Sequence, residues 1–451
     1  MKFIKYINKA IILLLMAATL SGCAVQASPG VGGNIMDNTE NNSAGGAGAS
    51  NGQGGAFVPL KDIFELAQTE SAEPVSPRDV NDYSDAKMLA GVINKFGYDM
   101  ISLIDEGESF IFSPFSVYVA LGNLSNGATG SAYEQMKAAL YPDMSAEEFN
   151  KAMGELLALL VRNAGDDPQY SGYELAIASL VVTDEKYTLN ENFAQLAARA
   201  FRAQTARARF ADPDVKDHVN EWADEATFGL IPELFSEPID PSTAAVILSS
   251  IYFSGKWFNE FNLDYTKDEI FHGAEGDVTV PMMQRNGDML YFEDDSLQSV
   301  RLPYYGGAYM DIFLPKEGVS VEDVLVGLDG LYAEYKTYEG ELKLPRFKTE
   351  KKTDLKEAIH ALGIEDVFRG GLENLATGPD EILLSDAFQK AVVEVDEEGT
   401  KAAAVTALIV RAVGAIMPEG TFEMICDRPF AYTINVNVDG RQQVLFIGAQ
   451  R

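Results

Sequence analysis

Histidine is scarce in this chain: among 451 residues there are three, His218, His272 and His360. None sits in an H-E-x-x-H pattern, and the one G-x-S-x-G match, Gly48 to Gly52, lies in a Gly/Asn/Ala/Ser-rich stretch with no strand-like run before it. Zinc hydrolysis and serine–histidine–carboxylate chemistry therefore lack their usual parts. Cysteine is scarcer still. Cys23 and Cys426 are the only two, which argues against a disulfide, and Cys426 reads as a small buried residue. Basic residues are outnumbered: 35 Lys and Arg face 68 Asp and Glu, a formal net charge of −33. Nucleic acid and anionic glycosaminoglycans are poor partners for such a surface, whose plain meaning is solubility. The carboxylate run Asp396, Glu397, Glu398 reads as a solvated strand end rather than an acid–base or calcium site. The chain is expected to be no enzyme and to carry no cofactor and no metal.

Long apolar runs are missing as well. Lys2, Lys5 and Lys9 precede an apolar stretch from Ala10 to Leu20, below the ~20 residues that span a bilayer but suited to an export signal. It ends Leu20-Ser21-Gly22-Cys23, which resembles the lipobox of bacterial lipoproteins. On that resemblance residues 1–22 are a signal peptide and Cys23 becomes a diacylated N-terminus, anchoring an exported protein at the bacterial cell surface. The plainer reading is a secretory signal with a chance cysteine. Residues 24–56 are rich in Gly, Asn, Ala and Ser, a flexible tether, and 57–80 are mixed, with Pro59, Pro74 and Pro77. The lipidated N-terminus and tether are taken as 23–85, and the folded domain as 86–451.

From Met88, apolar residues recur at helical steps through Val92, Ile93, Phe96, Met100 and Ile104. Ser113 before Pro114 makes a helix N-cap with proline at the first helical position. Val215, Val219, Trp222, Ala223 and Ala226 outline another amphipathic helix, with Gly229 as its stop. Residues 244–253 are too apolar for a strand with one wet face and predict a central one. Near the C-terminus, Asp439-Gly440 parts two alternating runs, the signal of a two-residue hairpin.

One stretch fits none of these. Residues 394–413, EVDEEGTKAAAVTALIVRAV, follow a strand-like run with small and β-branched side chains where a loop would carry glycine, proline or asparagine. Composition alone reads a permanent strand or an alanine-rich helix end. Alternate residues from Thr400 onward (Ala402, Ala404, Thr406, Leu408, Val410) all suit a core. The other row begins with Lys401 and includes Arg411, which want water. A loop with this two-sided code could add itself to a sheet.

Together these pieces resemble the inhibitory serpins, a family of serine protease inhibitors. The likeness rests on Phe110-Ile111-Phe112-Ser113-Pro114-Phe115-Ser116 and on Asn220, Trp222, Thr227, Gly229 and Ile231 at N-x-W-x-x-x-x-T-x-G-x-I spacing. It continues through Gly255-Lys256-Trp257, Leu342-Lys343-Leu344-Pro345-Arg346-Phe347, Glu397-Glu398-Gly399-Thr400 and Leu445-Phe446-Ile447-Gly448. The resemblance implies an α+β serpin fold: a large mixed central β-sheet, further sheets, about nine helices and an exposed reactive-centre loop near 397–425. It places Ser113, Ser116, Asn220 and Gln389 in the polar shutter region and Trp257 in the breach, where the loop first enters the sheet. Gln389 stands where most members have histidine.

The resemblance further implies that Glu397 pins the hinge by an ion pair, with Gly399, Thr400, Ala402, Ala403 and Ala404 as the hinge itself. It sets the scissile bond at Val413–Gly414, suited to elastase-like enzymes, with Arg411 as a rival that would bait trypsin-like ones. The implied activity is suicide inhibition by a monomer, in which a serine protease is held as a covalent complex while the loop enters the sheet. The alternative is a non-inhibitory serpin-fold surface binding lipoprotein. Val405, where inhibitory hinges prefer a smaller residue, is a departure that bears on insertion.

Overall fold

Strand 245–256 lies in the middle of a seven-stranded sheet, as its composition requires. The computed structural model describes residues 65–66, 73–76, 82–165, 173–331, 333–400 and 417–451. Cys23 and the loop positions Ala402, Ala403, Ala404, Val405, Arg411, Val413 and Gly414 lie outside the described residues. In chain order the sheet contains β1 (Glu65–Leu66), β2 (Tyr173–Asp184), β3 (Ala203–Ala208), β4 (Ala245–Lys256), β5 (Phe347–Asp354), β6 (Phe388–Val395) and β7 (Gly399–Thr400). Their spatial order is β1–β3–β2–β4–β7–β6–β5. β2 and β3 are parallel and the other neighbours antiparallel.

The sheet is covered on both faces along β2, which is why that strand lacks a polar row. Leu175, Ile177 and Val181 of β2 join the main core with the helices Ser84–Ile104 and Pro114–Ser125. Ala178, Leu180 and Val182 face the other way, into a second cluster with Val215, Val219 and Trp222 of the helix Asp214–Ala226. A second sheet of nine strands closes the main core. It includes the hairpin Phe430–Val438 and Arg441–Gln450, whose turn residues Asp439 (φ 48°) and Gly440 (φ 88°) are both left-handed. A short ladder of Thr188–Leu189 with Ala376–Thr377 makes the third sheet. The fold is α+β, as the resemblance implied, with eight α-helices among the described residues.

Local signals act as read. Ser113 accepts a hydrogen bond from the Ser116 backbone at 3.2 Å, ahead of Pro114. Gly229 has φ 86° after the helix Asp214–Ala226. The ordered body starts before residue 86, however. The first helix begins at Ser84, and Glu65 and Leu66 pair with Arg207 and Ala206 of β3. Val75 accepts from Arg202 Nη2 at 3.1 Å and donates to the Arg199 carbonyl at 3.3 Å. Without β1, β3 would be a bare sheet edge, and a bare edge recruits chain that passes beside it. The composition of 57–80 carries no mark of that.

Candidate functional site

The hinge is a tight turn between β6 and β7. Asp396 Oδ1 accepts from the backbone N–H groups of Glu398 (2.9 Å) and Gly399 (3.1 Å), while the Asp396 N–H donates to the Gly399 carbonyl at 2.9 Å. The chain then enters the sheet for two residues. Gly399 lies opposite Lys256, and Thr400 lies between Gly255 of β4 and Val395 of β6. Glycine is needed at 399 because a Cβ there would collide with the Gly255 carbonyl oxygen.

Glu397 fastens this turn from outside the sheet. Its carboxylate accepts from Arg346 Nη2 at 2.6 Å and Nε at 3.1 Å, and from the Thr266 hydroxyl at 2.7 Å. Burial alone would raise this carboxyl, yet the Arg346 fork and the Thr266 hydroxyl outweigh it and hold Glu397 below the ordinary carboxylate range. Trp257, which is buried, donates from Nε1 to the Asp396 carbonyl at 3.0 Å and from its backbone to the Glu398 carbonyl at 2.9 Å. Its indole stacks on Tyr304 at 4.4 Å with an 11° tilt. The Tyr304 hydroxyl meets Thr400 Oγ1 at 2.5 Å.

Below β7 no described residue fills the sheet. β4 and β6 both run antiparallel to β7, and only β7 stands between them. Where a longer strand would continue there is a cavity of about 780 Å³, lined by β4 from Ala245 to Ile251 and by Phe388, Gln389 and Ala391 of β6. Among the described residues, two strands therefore present unpaired backbone edges to each other across a slot. Ser113 and Ser116 lie at its inner wall. Gln389 clasps the Ser113 backbone, accepting from its N–H at 2.8 Å and donating to its carbonyl at 2.9 Å. Ser113 Oγ donates to Leu445 O and Ser116 Oγ to Ser249 O, each at 2.8 Å. The Ser249 and Ser250 hydroxyls are buried and have no hydrogen-bond partner among the described residues.

Asn220, grouped with these residues by the resemblance, is not brought to them. It sits on the helix Asp214–Ala226, which packs against the opposite face of the sheet. There it accepts from Leu234 N (2.9 Å) and Phe235 N (2.8 Å) and donates to Phe235 O (2.8 Å), so it shapes the turn after its helix. Spacing within a helix fixes which residues share a face, but not which neighbour that face meets.

Three residues of the hinge had no sequence signal of their own. Arg346 was visible only as part of a strand motif, while Thr266 and Tyr304 are distant in sequence and placed by tertiary contact. Cys426 is fully buried, and burial pushes its thiol well above the ordinary range. His272 pairs with Asp277 at 2.8 Å, and His360 lies edge-on to Phe368. Neither contact supplies a nucleophile.

Iripin-2 of Ixodes ricinus is 31% identical to this chain over 372 residues, covering 79% of this chain and 91% of its own length. Neuroserpin of Homo sapiens is 28% identical over 381 residues, 78% of this chain and 88% of its own length. Among solved structures, AtSerpin1 of Arabidopsis, described as in its native stressed conformation, aligns with a TM-score of 0.68 at 26% identity, over 81% of this chain and 97% of that one. Tengpin, a thermophilic serpin in the native state, aligns at 0.71 and 24% identity over 86% and 99%, a likeness of fold alone. The family model described as serpin (serine protease inhibitor) matches residues 92–450. Since that match runs over most of the sequence, the chain belongs to the serpin family.

Proposed function

We propose that this serpin inhibits serine proteases as a suicide substrate, using the slot between β4 and β6 as the destination of its own loop. The observation that carries the reading is β7: two residues already seated at the top of the slot, in register with both walls. Continuing that register sets Ala402 opposite Phe253, Ala404 opposite Ile251, Thr406 opposite Ser249 and Gln389, and Leu408 opposite Ile247. The row that begins with buried Thr400 thus meets the core face of β4.

In the proposed sequence a protease serine attacks the carbonyl of Val413, the bond to Gly414 breaks, and the amine leaves with its proton. The freed loop then zips into the slot with the acyl-enzyme attached. Thirteen newly inserted residues, 401–413, at ~3.3 Å each would carry the enzyme about 43 Å. A dozen new backbone hydrogen bonds at ~1 kcal/mol net, with burial of the inner row, give on the order of 10–20 kcal/mol. That exceeds the few kcal/mol needed to distort a catalytic triad before water frees the acyl group.

Valine at the scissile position favours elastase-like targets, and cleavage after Arg411 would favour trypsin-like ones. Incubation with elastase-, trypsin- and chymotrypsin-like proteases, followed by denaturing gels, tests the reading. The expected result is a complex that survives boiling in detergent, with a released peptide beginning at Gly414. Cleavage without complex would make the chain a substrate only. Export and lipid anchoring through Cys23 belong to the same proposal, and Cys23→Ser should move the protein from the membrane to the soluble fraction.

A further inference from the structure

Tyr304 carries no signal of its own in the sequence, yet its hydroxyl is what the Thr400 side chain meets inside the sheet. Its ring is wholly buried, stacked on Trp257 at 4.4 Å and edge-on to Phe253 at 5.1 Å. Its backbone N–H donates to the Ala308 carbonyl at 2.9 Å. Gly255 makes the room, since a Cβ there would come within 2.8 Å of the ring. So framed, the phenol has little freedom to point elsewhere. Its hydroxyl meets Thr400 Oγ1, itself 3% exposed, at 2.5 Å. A buried hydroxyl that loses its partner is penalised, so withdrawing Thr400 from the sheet is penalised at Tyr304 as well.

We propose that Tyr304 is a positioning residue for loop insertion, holding Thr400 in the mouth of the slot so that the incoming strand starts in one register. The inference rests on the trapping reading above and deepens it. Strand pairing has a side-chain period of two, so a slip of one residue would turn the Thr400 row outward and drive Lys401 and Arg411 toward the core. A strand that enters from a free end can make that error. One that grows from a seated Thr400 cannot, because the first cross-strand pair is already formed. Tyr304 therefore acts on the race between insertion and release of the cleaved loop, and not on the first encounter with the protease.

The test uses the whole protein with Tyr304→Phe, Thr400→Val and Thr400→Ser, and the double variant Y304F/T400V, against an elastase-like protease. Tyr304→Phe should leave the association rate unchanged within about twofold. It should raise the number of inhibitor molecules consumed per trapped enzyme by about three- to tenfold, the weight of one hydrogen bond in a partition. Thr400→Val should do the same, Thr400→Ser should not, and the double variant should be no worse than either single one. Hydrogen exchange of the intact protein gives a readout free of protease: amides of 396–400 should exchange faster in Y304F than in wild type. Unchanged exchange, an unchanged partition, or additive single effects would each overturn the role of Tyr304. A wild-type protein that traps no protease overturns the trapping reading and this role with it. A wild type that traps while Y304F behaves identically overturns this role alone.

Discussion

Strand β4 has one closed edge and one open one. Toward β2 its ladder runs unbroken from Ala245 to Gly255. Toward β6, only Gly255 and Lys256 are taken among the described residues, both by β7. The two strands are similarly apolar, yet β2 is buried at every position but one, while β4 is only half-buried from Ala245 to Ile251. Composition sets what a strand is able to bury, and topology sets what it does bury. On the trapping proposal, the shortfall along one edge of β4 is free energy withheld from the intact molecule.

The largest expected effect comes from closing that edge. Nicking at Val413–Gly414 should let the loop fill the slot and raise the melting temperature by about 15 °C or more, from on the order of 10 kcal/mol of added stability. Circular dichroism melts of intact and nicked protein read this directly. Equal melts would mean that the open edge withholds nothing. Next comes blocking the slot. Ala404→Glu would carry a charge to the core face opposite Ile251, and a buried unpaired carboxylate is costly. The stable complex should fall by about tenfold or more while cleavage proceeds at the wild-type rate. Gel densitometry of complex against cleaved inhibitor separates the two outcomes.

The hinge pin is a smaller term. Because the Arg346 fork and Thr266 hold the Glu397 carboxyl below its ordinary value, its contribution is full above the unfolded-state pKa and disappears as pH falls through the depressed folded one. Glu397→Gln should therefore lower neutral-pH stability by about 1–2 kcal/mol, discounted because Arg346 is partly solvated. It should also flatten the acid limb of the stability profile. Denaturant melts across the range from about pH 3 to 7 would show it. Parallel acid limbs for wild type and variant would remove Glu397 from the hinge.

Whatever was legible in the sequence was local or strongly patterned. Ser113 before Pro114, Gly229 behind its helix and Asp439-Gly440 between alternating runs each name their own conformation, and the structure follows them. The apolar run of β4 named its central place. What resisted was anything settled by a distant partner: Thr266 and Tyr304 at the hinge, Asn220 on the far face, Glu65–Leu66 at the edge of β3. The outward row of the loop, once inserted, would meet more than water. Wanting water suits Lys401 and Arg411, but Val246 and Leu248 on that face of β4 pack with the cluster under the helix Asp214–Ala226. Val405, opposite Ser250 in the continued register, would meet a partly apolar wall, so its bulk suits the slot better than the family preference implied.

The smallest expected effect is also the one most specific to the open edge. Ser249 keeps its hydroxyl buried without a partner among the described residues. Replacing an unpartnered buried hydroxyl by hydrogen removes a desolvation penalty and costs little packing beside a cavity that is already there, so Ser249→Ala should stabilise the intact form by about 0.5–1 kcal/mol, against the usual direction of core substitutions. In the nicked form the sign should reverse. Thr406 would then stand opposite Ser249, its hydroxyl could satisfy the serine, and Ser249→Ala would forfeit that bond. The variant should therefore narrow the gap between intact and nicked melting temperatures from both ends, whereas a substitution on the closed edge, such as Ser179→Ala on β2, should move both forms together.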